Sequence, residues 1–225
     1  MDKNRYHDML AKSLSVAIAL FVGCLFWSVS VWAANSPLDT IRSTTNQALA
    51  VLADPSGRDK EQRQQQIERM WEVVLPRFDT EEIAQRSLGV HWQKLTDDQR
   101  KEFVRLYIQL VKKNYGSTLE RYTTDAQFFF DHEDIDGDHA EVHTRIMAPS
   151  QENPFSVVYR LHRAGDEWLI HDVVAENVSL VQNYRNQFSR IIAQSSAAGL
   201  LDALKRKLAE LEAPESVKRK EENVT

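Results

Sequence analysis

The spacing of hydrophobic residues changes along the chain from a period of 3.6 to a period of 2 and back again. The first part has helical spacing, and N-terminal capping boxes at Asp79–Glu82 and Thr96–Gln99 mark two helix starts. Ser36 followed by Pro37 is typical of another helix start. The pattern therefore predicts four helices, over residues 36–53, 59–75, 79–88 and 96–122.

Strict alternation begins after Asp125. The pair Asp136–Gly137 is a strong hairpin signal, and a second turn is expected around Gly165. Helical spacing returns after Glu176, and Gly199 separates two further amphipathic segments. The predicted fold class is therefore α+β, with helices before and after one antiparallel meander. Its four strands are expected over residues 126–135, 139–146, 155–162 and 168–175.

The fourth predicted helix is unusual because its apolar side chains cover an arc of about 220° on the helical wheel. A surface helix needs an apolar stripe only a little over about 100° wide. This helix must therefore be covered on two sides, by other elements or by a ligand.

The overall hydrophobic fraction of 42% hides an uneven distribution. Lys3, Arg5 and Lys12 precede an uncharged run, and Val31 and Ala33 supply small residues at positions −3 and −1 of a cleavage site. These features predict a signal peptide over residues 1–33 and export of the remaining chain. Two alternatives stay open, namely a retained N-terminal membrane anchor and a lipoprotein site at Cys24. The last residues, 213–225, are predicted to be a charged, flexible tail.

Composition narrows the function classes. The 225 residues carry a formal net charge of −5, which argues against nucleic acid as a partner because phosphate contacts need a basic face. The single cysteine cannot form an internal disulfide or a thiolate-rich zinc site.

No metal site is predicted from the sequence. The acidic run that starts at Asp131 resembles a calcium loop only in part, because His139 and Arg145 stand where that loop needs glycine and glutamate. His139 and His143 lie too far apart on one strand to share an ion. We expect these histidines to form a solvated sheet face.

Asp172 is the most notable acidic residue. Alternation along the last predicted strand places its side chain on the same face as Trp168, Ile170 and Val174, which are expected to point inward. A buried carboxylate needs a partner. We predict a structural pair with Arg185 or a cap on the following helix. The alternative is a small exported enzyme that uses Asp172 with a nearby histidine, but no complete set of nucleophile, base and orienting residue is visible. We therefore predict no catalytic residue.

Several segments, in the same order along the chain, resemble the MlaC family. The clearest are residues 157–161, 168–173, 176–181 and 183–188, followed by residues 199–201. Upstream matches include Phe78–Asp79, Leu88–Gly89, Trp92 and Phe103. The resemblance covers roughly residues 38–208, so the predicted lipid-binding domain spans residues 34–212.

The resemblance implies a curved antiparallel sheet, similar to nuclear-transport-factor-two-like domains, packed with a layer of helices around an apolar lipid cavity. It also implies a periplasmic carrier of glycerophospholipid rather than an enzyme, without a cofactor. The implied partners are an outer-membrane lipoprotein–porin complex and an inner-membrane ABC transporter complex with an MCE-domain protein. Shuttling between them would keep phospholipid out of the outer leaflet, and the carrier is expected to be a monomer.

Strand parity and helical spacing then select a candidate lipid wall, although plain core packing would produce the same pattern. The candidate lipid-binding residues are Phe103, Tyr107, Leu110, Val142, Ile146, Val157, Tyr159, Ile170, Val174 and Phe188.

Overall fold

The computed structural model describes residues 36–55, 59–123, 126–149 and 151–212, without the side chains of residues 117–123. The predicted signal peptide and charged tail lie outside these ranges. The described chain is α+β, as predicted, and contains six α-helices and one five-stranded sheet. None of the described helices combines the length and apolar character that a membrane span needs.

The helices are α1 (Pro37–Leu52), α2 (Lys60–Val74), α3 (Thr80–Leu88), α4 (Asp97–Thr123), α5 (Leu180–Gln194) and α6 (Ala197–Glu212). Short 3₁₀ segments follow α2 and α3, at Leu75–Arg77 and Gly89–Lys94. The strands are β1 (Gln127–Asp136), β2 (His139–Met147), β3 (Phe155–Ala164), β4 (Glu167–Ala175) and β5 (Val178–Ser179). The predicted helices and the four predicted strands are thus confirmed to within a few residues.

The caps explain most of the helix starts. Thr96 and Gln99 form the full reciprocal capping box, since the N–H of each residue donates to the side chain of the other. At α3 only half of the predicted box forms, because Asp79 accepts the N–H of Glu82 but its own N–H donates to the carbonyl of Ile170. The Glu82 carboxylate is therefore free to pair with Arg86 at 2.7 Å.

The sheet is an antiparallel meander in the order β1-β2-β3-β4-β5, curved and not closed into a barrel. Gly137 has a φ of +58° in the predicted β1–β2 turn, where Asp136 pairs with His139. The helix α1 packs against one face of β1 and β2, with Ile41 among the buried apolar residues of that face. We call this the inner face, because it carries the sheet core.

Two β-bulges change which residues share a face. The pairing shifts between Phe130 and His132 on β1, and His171 is the extra residue on β4. Past the second bulge, Val173 pairs with Tyr159 on the inner face and Val174 pairs with Val158 on the outer face. The predicted placement of Val174 beside Ile170 is therefore wrong, because parity is lost at an inserted residue.

Candidate functional site

The buried apolar side chains form two main cores, one among the helices and one on the inner face of the sheet. The helical core joins α3, α4, α5 and α6, and the sheet core joins β1 to β4 with α1. Phe78, which follows the 3₁₀ segment after α2, packs against both. Its backbone also bridges to Ile170 of β4. Phe78 therefore marks the junction between the two layers.

An open cleft of about 720 Å³ lies at this junction. Its apolar wall is formed by half-buried side chains that come from two elements, the segment around Leu75 and Phe78 and the α4 residues Val104 and Ile108. This volume falls within the range of about 300–1,000 Å³ that is typical of ligand pockets. The remaining lining residues are Glu72, Pro76, Thr80, Arg105, Gln109 and Lys112.

The cleft accounts for the wide apolar arc of α4. One side of this helix, including Phe103 and Leu106, is buried in the helical core. The adjacent side, with Val104 and Ile108, faces the cleft and stays only half-buried. The excess apolar surface that the sequence required to be covered is thus available to an apolar ligand.

Two cationic side chains stand at the rim of the cleft. Arg105 is exposed, with its Nη1 3.4 Å from Oε1 of Gln109 and its Nη2 4.0 Å from Oε1 of Glu102. Lys112 pairs with Glu68 of α2. Because Glu68 already neutralises Lys112, the exposed Arg105 guanidinium is the cation beside the apolar wall that can bind a phosphate with apolar substituents.

The structure divides the ten predicted lipid-wall residues into separate groups. Val142, Tyr159 and Ile170 lie in the sheet core, while Ile146 and Val157 are buried on the same inner face. Val174 lies on the opposite face. The four helical residues belong to the helical core: Phe103, Tyr107, Leu110 and Phe188.

These helical aromatics pack against one another. The ring centroids of Phe103 and Phe188 are 5.4 Å apart, and those of Tyr107 and Phe188 are 5.2 Å apart, both in edge-to-face geometry. The Tyr107 hydroxyl lies 3.1 Å from that of Ser87, and burial raises the pKa of Tyr107. In this structure these rings face other helices, so their contact with lipid stays a prediction.

Tyr159 is the polar exception in the sheet core. Burial raises the pKa of its phenol to about 12, and no hydrogen bond to its hydroxyl forms within the described ranges. The hydroxyl is thus available to a polar group of a ligand that enters between the layers.

Asp172 has a structural role, but with partners other than the predicted one. Its carboxylate accepts hydrogen bonds from the Ser179 hydroxyl at 2.6 Å and from the N–H of Val181 at 3.1 Å, and Nη1 of Arg160 lies 3.5 Å away. Arg185 instead donates from Nε to the carbonyl of Arg86 at 2.8 Å. The predicted Asp172–Arg185 pair is therefore wrong, because Ser179, Val181 and Arg160 surround the carboxylate while the guanidinium of Arg185 binds the Arg86 carbonyl. The alternative prediction, a cap on the following helix, is confirmed.

This arrangement gives no support to Asp172 as a general base. Its Oδ1 accepts the backbone N–H groups of Val173 and Val181, and its Oδ2 accepts the Ser179 hydroxyl. Both carboxylate oxygens are therefore held by donors of β4, β5 and α5. No histidine is among these partners within the part of the chain that the structure covers. The geometry therefore gives Asp172 a structural role at the junction of β4, β5 and α5.

The buried His171 gives the protein a predicted sensitivity to acid. Burial, with smaller effects from Arg86 and His162, lowers the pKa of this imidazole to about 4. The unfolded chain then binds more protons than the folded chain between about pH 6.5 and 4, so stability is lost as the pH falls through this window. We expect a loss of up to about 3 kcal/mol, since one pKa unit corresponds to 1.36 kcal/mol.

Urea unfolding of the unchanged protein and of His171→Gln at a series of pH values measures this effect. The variant should show the shallower loss of stability below pH 6.5, whereas His132→Gln, at an exposed position away from His171, should follow the unchanged protein. Parallel curves for all three proteins would show that His171 does not titrate in this way.

Comparison with known proteins places this fold. The chain matches the MlaC protein family over residues 42–206. The toluene tolerance protein ttg2D of Pseudomonas putida is 22% identical over 183 residues, which cover 81% of this chain and 82% of that protein. The crystal structure of a phospholipid-binding protein from Ralstonia solanacearum, in complex with a phospholipid, superposes with a TM-score of 0.70 at 19% identity. It covers 80% of this chain and 100% of the matched chain, and the two share a fold.

Proposed function

Because the chain belongs to the MlaC family, we propose that it binds glycerophospholipid and carries it through the periplasm between the outer and inner membranes. The observation that carries this proposal is the cleft beside Phe78, which combines an apolar wall with the exposed guanidinium of Arg105 at its rim. The phospholipid bound by the structurally similar Ralstonia protein supports the same class of ligand.

The acyl chains are proposed to enter at the cleft and to separate the helical core from the sheet core. Val104 and Ile108 would contact the chains first, and the phosphate would stay at the rim near Arg105. Deeper in the protein, separation of the layers would expose inner-face residues such as Tyr159. This route would bring part of the predicted lipid wall into contact with the ligand.

The energetics of lipid transfer explain why a carrier is needed. Two acyl chains hold roughly 30 methylenes, and exposing each to water costs about 0.8 kcal/mol, or about 24 kcal/mol in total. That cost exceeds the strongest known non-covalent affinities, of about 18–21 kcal/mol. A carrier must therefore offer an environment close to that of the bilayer, so that loading and unloading are both nearly neutral.

The route of transport is proposed on the family resemblance. The donor and acceptor are an outer-membrane lipoprotein–porin complex and an inner-membrane ABC transporter complex with an MCE-domain protein. The result would be the removal of phospholipid from the outer leaflet of the outer membrane. Export into the periplasm follows from the predicted signal peptide, residues 1–33.

Lipid analysis of the purified protein tests the proposal. The full chain is expressed in a Gram-negative host, recovered from the periplasm, and examined by native mass spectrometry and by thin-layer chromatography of an organic extract. We expect bound phospholipid and, from N-terminal sequencing, a chain that begins at Ala34. Protein that is empty and takes up no phospholipid from vesicles would contradict the proposed function.

A further inference from the structure

Three potential metal-ligand side chains meet on the outer face of β1 and β2, away from the cleft. Nε2 of His132 lies 3.5 Å from Oδ2 of Asp134, and Nε2 of His143 lies 3.4 Å from the same oxygen. The two imidazole rings are stacked, with centroids 4.3 Å apart and planes inclined by 7°. All three candidate ligand atoms lie within 4.8 Å of one another.

The cluster exists because of the bulge in β1. The register shift between Phe130 and His132 places His132 directly opposite His143, where their side chains share the outer face. Asp134 lies two residues further along the same strand and therefore points to the same face. An unbulged β1 would have turned His132 to the inner face.

The charged groups around the two imidazoles favour the binding of a cation. Asp134 has 71% of its side chain exposed, and no arginine or lysine pairs with it among the described residues. Oε2 of Glu141 lies 3.7 Å from Nε2 of His143 and adds a second carboxylate, while Oε1 of Glu141 binds Nε of Arg160 at 2.8 Å. The neighbouring Asp131 is neutralised by Arg145.

Two of the three separations between the ligand atoms fit a small transition-metal ion. Two bonds of about 2.0–2.1 Å that meet at a tetrahedral angle hold their ligand atoms roughly 3.4 Å apart. Both carboxylate–imidazole distances match this separation. The imidazoles are 58% and 31% exposed, so each ring can rotate to direct its nitrogen at a shared ion.

We propose that His132, Asp134 and His143 bind one divalent transition-metal ion of the class that imidazole prefers, with Zn²⁺ as its representative. Water, or Glu141, completes the coordination. The bound ion would cross-link β1, an edge strand of the open sheet, to β2. On its inner face β1 holds the start of α1, where the Leu38 N–H donates to Glu133 Oε2 at 2.6 Å. Metal binding would therefore stabilise the part of the sheet on which α1 rests.

Zn²⁺ titration tests the site in the full exported chain, purified without a polyhistidine tag and treated with chelator. We expect isothermal titration calorimetry to show saturable binding of one Zn²⁺ per chain, unaffected by excess Mg²⁺, because Mg²⁺ prefers oxygen ligands. Zn²⁺ should also raise the melting temperature of the protein, since it binds the folded state.

Substitutions assign the ligands. His132→Asn, Asp134→Asn and His143→Asn should each weaken Zn²⁺ binding by at least about tenfold, because each removes one of three protein ligands. His139→Asn, at an exposed position of the same hairpin, should bind like the unchanged protein. Absence of saturable binding, or equal binding by all four variants, would overturn the proposal. Circular dichroism checks that each variant is folded.

Discussion

The Ile108→Asp protein is expected to lose more than about nine-tenths of the phospholipid that co-purifies with the unchanged chain. Ile108 faces the cleft from α4, where the proposed ligand is a methylene chain. An aspartate there either buries a charge against hydrocarbon or keeps water in the cleft, and both cost several kcal/mol. A cost of about 1.4 kcal/mol is already enough to reduce affinity tenfold.

The measurement is the molar ratio of phospholipid to protein after identical purification, read by native mass spectrometry. Lys101→Asp is the matched control, because it places the same side chain on an exposed position of the same helix and should leave the ratio unchanged. Since Ile108 is only half-buried, the variant should keep the circular dichroism spectrum of the unchanged protein. Full lipid content in folded Ile108→Asp would exclude the cleft as the binding site without excluding lipid binding elsewhere.

The Asp172→Ala substitution should destabilise the protein by about 3–5 kcal/mol, the largest stability effect that we expect. Asp172 is buried, with 5% of the residue exposed. Its carboxylate joins β4 to the start of α5 through hydrogen bonds from Ser179 and Val181. Its removal leaves a buried N–H and a hydroxyl without their acceptor, and each unsatisfied group costs about 1–3 kcal/mol. It also leaves Arg160 paired with Glu141 alone among the residues that the structure describes.

Urea unfolding followed by circular dichroism measures this cost. Asp166→Ala, in the exposed turn before β4, is the control and should change stability by no more than about 0.5 kcal/mol. If Asp172→Ala yields too little folded protein, Ser179→Ala reports on the same junction. Ser179 caps α5 by accepting the Gln182 N–H at 3.0 Å, so its loss should cost about 1–2 kcal/mol. A stable Asp172→Ala protein would contradict the structural role and reopen the enzyme alternative.

The sequence predicted the elements well because their signals are local. Capping at Ser36, Asp79 and Thr96 depends on side chains that reach backbone groups three residues away. The Asp136–Gly137 turn likewise depends on one residue that tolerates a positive φ. Alternation along the strands then identified the buried face, and it holds for Val142, Val157 and Tyr159.

The predictions that were wrong depend on β-bulges. An inserted residue exchanges the two faces beyond it, and the alternation of apolar and polar residues along β4 does not mark His171 as that residue. Alternation alone therefore predicts Val174 and Asp172 on the inner face, whereas the structure places both on the outer face. The bulge in β1 had the opposite consequence, since it brought together His132 and His143, which sequence spacing had kept apart.

The cleft was only partly predictable. The wide apolar arc of α4 indicated that a second covering was needed, but the arc alone could not separate Phe103, which is buried by other helices, from Ile108, which lines the cleft. The family resemblance includes Phe78, but it does not indicate that this residue packs between two cores. Such contacts join residues far apart along the chain, so no local pattern specifies them.

The sequence by itself therefore determined the α+β class, the order and ends of the elements, and the MlaC family resemblance, because these depend on periodicity, capping and turn residues. Tertiary structure decided which apolar residues line the cleft beside Phe78, which donors hold Asp172, and that His132, Asp134 and His143 meet. The physical reason is that these features depend on strand register and on packing between layers. Both are set by contacts over the whole chain and not by neighbours in sequence.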